Sequence, residues 1–250
     1  MPNPNQAKRT KGVLRYSIDQ LLLVDAIRYL VAATRYLWLV MVRRKLRTWD
    51  LEKGIANGVA ENTIHHNLRG LRDLAVARSH FLARPLSVIE SIDANATVLS
   101  IGPRSEGELL NLMAHGFKWS NISGLDLITY SPRIELGDMH KMPHPDGSFD
   151  VVVAGWVIAY SERPSVAAKE IVRVTRPGGV IAVGVEYSPL SESQVIELLG
   201  YRPGAEKRIA SCDDILALFG DAVDHIYFIH DVRPARLDKV GSMCVVFSVK

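Results

Sequence analysis

The 250-residue chain has only two cysteines, Cys212 and Cys244. Their placement matches no metal or dithiol spacing, so a zinc ribbon and a disulfide framework are excluded and a reducing compartment is expected. Long uncharged runs are also missing. Between Leu21 and Val42, Asp25, Arg28 and Arg35 cut the apolar stretch into Tyr29–Thr34 and Tyr36–Val42, well short of the ~20 residues a bilayer crossing needs. Met1 to Arg15 lacks the apolar centre and small-residue cleavage site of a secretory signal, which points to the cytoplasm. His140 and His144 share an H-x-x-x-H spacing, but Pro143 and Pro145 preclude the helix that would make them a metal pair. His65 and His66 are adjacent and point about 100° apart on a helix, so they are no same-face ligand pair either.

The residues that are present describe a folded globular chain, 48% apolar and 23% charged, long enough for one large domain with an added helical segment. Its net charge of +3 conceals an asymmetry: residues 1–80 hold 14 Lys and Arg against 6 Asp and Glu, a balance of +8, and residues 81–250 hold 16 against 21, a balance of −5. A basic front half suits an anionic partner, a membrane surface or the acidic half of a second copy. It lacks the aromatic interleaving of a single-strand groove, so no nucleic-acid partner is expected.

The first 90 residues read as a polar tail, residues 1–12, followed by helices. Ser17 with Gln20 fits a capping box. From Leu21 to Val42 the charges Asp25, Arg28 and Arg35 fall on one stripe, which predicts a helix buried on most sides. Arg43, Arg44, Lys45 and Arg47 follow it. Three roles are open to residues 17–47: a lid, a homodimer contact or a peripheral membrane contact. Asn57-Gly58 punctuates the segment, and a second helix is predicted over residues 61–82, with Pro85 closing it.

Residues 91–250 alternate strand and helix. Val98-Leu-Ser-Ile-Gly-Pro-Arg-Ser-Glu-Gly-Glu108 is a strand, a glycine-containing turn and a helix start. Such a turn admits a ligand to bare backbone and aims the first N–H groups of the helix at it. Ser123-Gly-Leu-Asp-Leu closes a second strand on Asp126, and Arg133 to Asp138 gives a third. Phe149 to Gly155 and Val180 to Val185 are continuous apolar runs of the kind buried in parallel sheets. Asp224–His230 and Met243–Val249 supply the last two strands. The fold class that follows is α/β, a doubly wound and mostly parallel seven-stranded sheet, with ligands at the carboxyl ends of its strands.

Taken together, VLSIGPRSEGE, SGLDL, LGDMHKMPHPDGSFDVVVAGWVIAY and EIVRVTRPGGVIAVGVE resemble the class I S-adenosylmethionine (SAM) dependent methyltransferases, in their small-molecule branch. The likeness covers residues 97–187 and extends plausibly to the C-terminus, where the family inserts its last strand antiparallel. It implies SAM as cofactor. It further implies Gly102 against the adenosine and methionine portions, Asp126 and its neighbour Leu127 at the ribose, Asp138 at the adenine amino group with Met139 on the ring, and Gly155 and Trp156 around the sulfonium. Tyr160, His140 and Glu186 are the candidates for a base. Methyl transfer needs mainly alignment of nucleophile, methyl and sulfur, so a base is optional for an easily ionised acceptor.

Three departures from the family pattern stand out. Ser100 replaces the acidic residue that helps to hold the methionine ammonium. The glycine turn reads G-P-R-S-E-G, with one residue too many; Glu106 or the backbone near Arg104 is expected to supply the missing contact, and Arg104 to grip the methionine carboxylate. Only eleven residues separate Asp126 from Asp138, too few for the usual crossover helix. A tight excursion through Tyr130-Ser131-Pro132 is predicted instead, with the N-terminal helix covering the sheet beside it. Neither an N-P-P-Y type motif nor a Pro-Cys nucleophile follows the fourth strand, which argues against DNA base methylation. The expectation is therefore methylation of a small molecule at oxygen, nitrogen or carbon. The alternatives are a cyclase or lyase acting on SAM itself and a non-catalytic scaffold subunit with this fold.

Overall fold

The computed structural model describes residues 19–50, 59–71, 73–75, 77–202, 204 and 208–250. The predicted tail, the Ser17 cap and the Asn57-Gly58 turn lie outside them. Seven strands form the central sheet: β2 (Val98–Ile101), β3 (Ile122–Asp126), β5 (Ile134–Leu136), β6 (Phe149–Gly155), β7 (Thr175–Tyr187), β8 (Val223–His230) and β9 (Gly241–Val249). Their spatial order is β5-β3-β2-β6-β7-β9-β8. The first five run parallel, and β9 inserts antiparallel to both β7 and β8.

Both faces of the sheet are covered, and the strands show it residue by residue. Leu99, Ile101, Val152, Ala154, Ile181, Val183, Val245 and Phe247 enter one apolar cluster. Their alternating neighbours Val98, Val151, Val153, Val180, Ala182 and Val246 enter the other. A strand with apolar residues at both parities has no face left for water, which is why these runs are continuous rather than alternating. Each fully buried Val, Leu or Ile contributes roughly 1.5–3 kcal/mol by leaving water.

The helices are α1 (Asp25–Leu37), α2 (Val59–Gly70), α3 (His80–Leu86), α4 (Glu106–Ala114), α5 (Pro164–Val174), α6 (Glu192–Leu199) and α7 (Cys212–Phe219). α4 starts at Ser105, whose extended backbone and side-chain oxygen cap it by accepting from the Gly107 N–H. α5 carries Pro164 in its first turn, and α6 opens with a complete Ser191/Gln194 capping box. The helix predicted over residues 61–82 is two, α2 and α3, with non-helical backbone at the described residues between Leu71 and Ala75. Pro85 sits inside the last turn of α3 rather than beyond it. Because α3 packs on β7 and β9, the layer that covers the sheet begins before the boundary expected near residue 90.

No helix lies between β3 and β5. Residues 127–133 instead form a short strand, β4 (Ile128–Thr129), that pairs antiparallel with β1 (Arg47–Thr48). The N-terminal segment fills the space a crossover helix would take: Ile64, Leu68 and Leu71, with Tyr36, Leu39 and Trp49, pack on Ile128 and Tyr130. Tyr36 meets Tyr130 edge to face at 5.0 Å between centroids.

α1 departs from its sequence reading in orientation. Arg28 and Arg35 of the charged stripe reach into the protein while Asp25 stays exposed, and much of the apolar surface faces out. Arg28 is fully buried: it donates to the carbonyls of Leu22 (2.9 Å) and Ala75 (3.2 Å) and pairs with Asp25. Arg35 is bound to Glu106 of α4. Two guanidiniums reach buried acceptors on other segments, and this fixes the roll of the helix against its own hydrophobicity.

Candidate functional site

A roofed cleft opens at the carboxyl ends of β2, β3, β5 and β6, around the point where the strand order reverses. It encloses about 930 Å³ of atom-free space, its mouth included. The floor is built by Ile101, Gly102 and Arg104 after β2, Asp126 and Leu127 after β3, Asp138, Met139 and His140 after β5, and Gly155 and Trp156 after β6. Trp49, Thr63, His66, Asn67 and Arg78 of the N-terminal segment form the roof and one wall. Residues far apart in sequence are thus brought to one space.

On the β3–β5 side every carboxylate already has partners. Asp126 accepts from the backbone N–H of Arg104 (2.9 Å) and Ile128 (3.1 Å) and from the Asn67 amide (3.1 Å). Burial pushes its carboxyl above the usual range, against the pull of those donors. Asp138 accepts from the backbone N–H of His140 (2.9 Å) and from its ring Nδ1 (2.5 Å). With that proton fixed on Nδ1, the ring Nε2 accepts from the Ser161 hydroxyl at 2.6 Å. Ser161 in turn accepts from the Arg163 N–H. Both nitrogens of His140 are engaged, one by Asp138 and one by Ser161, so the ring orients Asp138.

The β2–β6 side is different. Trp156 has φ +59° and Arg104 φ +43°, two of the three non-glycine residues in the left-handed region among the described residues. Such backbone costs about 1–3 kcal/mol and persists where the surroundings impose it. Here the Trp156 N–H bonds to the Gly184 carbonyl at 2.8 Å, and Arg78 lies over the indole at 4.9 Å. Among the described residues the indole Nε1 of Trp156 and the Nε of Arg78 are buried here without a hydrogen-bond partner; so is the Nε1 of Trp49, which sits over Ile128 and Tyr130 instead. Behind Gly155 and Trp156 lies a small hollow lined by Ser100, Glu108 and Asn111. Glu108 is buried there with no hydrogen-bonded partner among the described residues, and burial pushes its carboxyl up to about 8.

Several expected site residues are placed elsewhere. Glu106 does not line the cleft. Its carboxylate is fully buried against Arg35 and the Ser131 hydroxyl, and its N–H donates to the Tyr130 hydroxyl. Two positions on, across the helix, Glu108 is the carboxylate beside the cleft. Ser100 lies in the hollow rather than in the main cleft. Glu186 is exposed and lines no part of it, although its charge, second to burial, helps to raise the Tyr160 hydroxyl. Tyr160 lines the cleft, and its raised pKa makes it a proton-bearing donor rather than a base. Gly102, at φ +69°, also meets Val157 so closely that a Cβ would lie 2.0 Å from it; a Cβ at Gly107 would lie 1.6 Å from the Leu74 carbonyl oxygen. The second glycine of the turn therefore serves the approach of residues 74–75, not a ligand.

His66 and Trp49 are lining residues that sequence reasoning passed over. The His66 ring faces Tyr160 at 5.8 Å. Burial, then Arg104, Arg78 and Arg69, hold its pKa below the ordinary histidine value, so it is neutral at pH 7. Its signal in sequence was a polar His-His-Asn run on a helix, which says nothing without the helix's position.

Whether these residues fit a bound nucleoside sulfonium can be judged from the cleft itself. It has two carboxylates on the β3–β5 side for hydroxyl and amino donors, and a thioether and an indole for apolar contact. Buried donors without partners among the described residues, and a buried carboxyl, lie on the other side. That is a fitting donor set.

A family model described as a methyltransferase domain matches residues 99–183. The chain is 30% identical over 92 residues to the demethylmenaquinone methyltransferase of Parafrankia sp. (strain EAN1pec), covering 35% of this chain and 36% of that protein. It is 36% identical over 50 residues to the malonyl-acyl-carrier-protein O-methyltransferase of Halorhodospira halophila, 20% of this chain and 17% of that protein. The matched stretches thus span about a third or less of these curated relatives. Among solved structures, geranyl diphosphate methyltransferase in complex with SAM superposes with a TM-score of 0.51 at 13% identity, covering 80% of this chain and 94% of the other. The MccD protein gives 0.52 at 12% identity, covering 68% and 96%. At these identities the structural likeness is one of fold.

Proposed function

We propose, from the match of residues 99–183 to a methyltransferase domain, that this chain is a class I SAM-dependent methyltransferase and that it methylates a small-molecule acceptor at oxygen, nitrogen or carbon. The observation that carries the reading is the convergence of Gly102, Asp126, Asp138 and Trp156, from the ends of four different strands, on one roofed cleft. A cleft closed over by α2 suits a small acceptor better than a strand of polymer. The demethylmenaquinone enzyme among its relatives is named for a small-molecule acceptor.

Bound SAM supplies a methyl group made electrophilic by the adjoining sulfonium. The chain's own residues bind and align. Asp126, with lone pairs left beyond its N–H donors, accepts from the ribose hydroxyls. Asp138, oriented by His140 and Ser161, accepts from the adenine amino group, and Met139 packs on the ring. At the methionine end Arg104 offers a guanidinium to the carboxylate. Glu108, in place of the Glu106 expected from sequence, offers a carboxylate to the ammonium, a contact that favours its ionised form. Gly155 and Trp156 border the methyl group. His66, neutral and beside Tyr160, takes the acceptor's proton, while Tyr160 donates a hydrogen bond that orients the acceptor.

Calorimetry of the full chain with S-adenosylhomocysteine tests the cofactor half of this reading. Binding in the micromolar range is expected, and no binding would sink it in favour of a scaffold role. Incubation with SAM alone tests the chemistry: methylthioadenosine formed without any acceptor would replace methyl transfer by cyclisation or cleavage of SAM itself.

A further inference from the structure

The outward face of α1 and the turn that follows it is apolar where a helix on a water-facing surface is ordinarily polar. Leu30, Leu37 and Met41 stand 64%, 56% and 69% exposed, and Trp38 and Val42 54% and 60%. Leu30 and Leu37 lie seven residues apart, on one line along the helix; Arg28, Ala32 and Arg35 occupy the opposite line and are turned into the protein. Trp38–Val42 continues the helix with a π-type turn, none of whose side chains is buried. Among the described residues nothing packs over this face: the buried contacts of the helix run through Arg28, Ala32 and the flanking Ile27, Val31 and Tyr36.

Charge identifies what the face meets. From Ala26 to Thr48 there is no Asp or Glu, while there are six Lys and Arg. Arg28 is buried and Arg35 is bound to the buried Glu106; Arg43, Arg44, Lys45 and Arg47 are all exposed at the end of the apolar line. Aliphatic side chains, a tryptophan at their margin and adjacent cations with no acid among them are the composition of a helix lying in the interface of an anionic membrane. No helix among the described residues is long and apolar enough to cross a bilayer, so the contact is one of lying on the surface. We propose that the outward face of α1 and residues 38–47 dock the protein on an anionic lipid surface, with Leu30, Leu37, Trp38 and Met41 inserted among the acyl chains and Arg43, Arg44, Lys45 and Arg47 at the phosphates.

The test is flotation of the full chain with vesicles of phosphatidylcholine mixed with phosphatidylglycerol, beside vesicles of phosphatidylcholine alone. Binding to the anionic vesicles, weakened by salt and weak on the neutral ones, is expected. Leu37→Glu with Met41→Glu abolishes it, and Arg43→Glu with Arg44→Glu lowers partitioning roughly tenfold or more. All four positions are exposed, and unchanged melting temperatures show that the variants remain folded; if the glutamates in the apolar face disturb folding, the arginine pair alone decides. Equal binding to both vesicle types, or none to either, overturns the proposal. So does a dimer in sedimentation that Leu37→Glu and Met41→Glu dissolve without any vesicle binding, which would assign the face to a second copy.

Discussion

The two sides of the cleft are built on opposite terms. On the β3–β5 side Asp126 and Asp138 are held by backbone N–H groups, an asparagine and a histidine–serine relay. They are aimed before any ligand arrives, so little ordering remains to be done on binding. On the β2–β6 side Trp156 and Arg78 carry buried polar atoms without hydrogen-bond partners among the described residues, Glu108 is a buried carboxyl pushed up to about 8, and Trp156 and Arg104 hold backbone that non-glycine residues rarely adopt. A buried group left without a partner costs about 1–3 kcal/mol, a cost that a complementary ligand removes. One side is pre-organised and the other is completed by what binds.

The sharpest way to break this contrast is at Asp126. Asp126→Ala removes an acceptor for three N–H donors as well as the proposed ribose contact. We expect S-adenosylhomocysteine affinity to fall by about 100-fold or more and stability by roughly 2–3 kcal/mol, read by calorimetry and thermal melting. An affinity within a few-fold of wild type would show that the paired side does not hold the ligand. The next largest effect is expected at the roof. His66→Gln should lower kcat about 100-fold for an acceptor that must lose a proton, with the KM for SAM little changed. Since burial and three arginines depress the His66 pKa, the wild-type rate should decline on the acid side only below the ordinary histidine range. That limb should be absent in the variant, and a limb that persists would assign the proton to another group.

The smallest effect, and the most specific, belongs to Glu108. Its carboxyl ionises at about 8 when folded and near the ordinary glutamate value of 4.5 when unfolded. Between those values the folded state binds more protons, so this group makes stability fall as pH rises from about 4.5 to about 8. The raised Asp126 contributes in the same direction. Glu108→Gln should therefore melt higher than wild type at pH 8 and nearly level with it at pH 4. If Glu108 meets the methionine ammonium, S-adenosylhomocysteine binding at pH 7 releases a proton, visible as a calorimetric heat that depends on the buffer. The glutamine variant should bind about tenfold more weakly and release none. A proton release unchanged by the substitution would remove Glu108 from the site.

What sequence could and could not show follows the range of the interactions involved. Strands β2, β6 and β7 were legible because burial on both faces writes continuous apolar runs. Asp126 and Asp138 were legible because a carboxylate closing a parallel strand stands at the edge where ligands bind. The missing crossover helix followed from counting residues between them. Glu106 and Glu108 were not separable by sequence: both lie in the first turn of α4, and only the arrival of Arg35, seventy-one residues away, decides which is consumed. The roll of α1 is of the same kind. Its stripe of charge was visible, but the carbonyl of Ala75 and the carboxylate of Glu106 that draw the stripe inward come from distant segments. His66 gained meaning only once α2 was seated over β4.

The bare Cα of Gly107 makes the β2–α4 turn and the roof one mechanical unit. The Leu74 carbonyl rests where a side chain would begin, and a few residues on lie Arg78 and the start of α3. An alanine there would lever residues 74–75 outward and carry Arg78 away from the Trp156 indole, disturbing the cleft wall from a position that does not line the cleft. Seen as machinery, the glycine is a bearing surface. For anyone trimming this chain to a minimal catalytic unit, the cut cannot be made at residue 91. The sheet would lose the part that rides on that bearing, and Glu106 would be left a buried charge without its guanidinium.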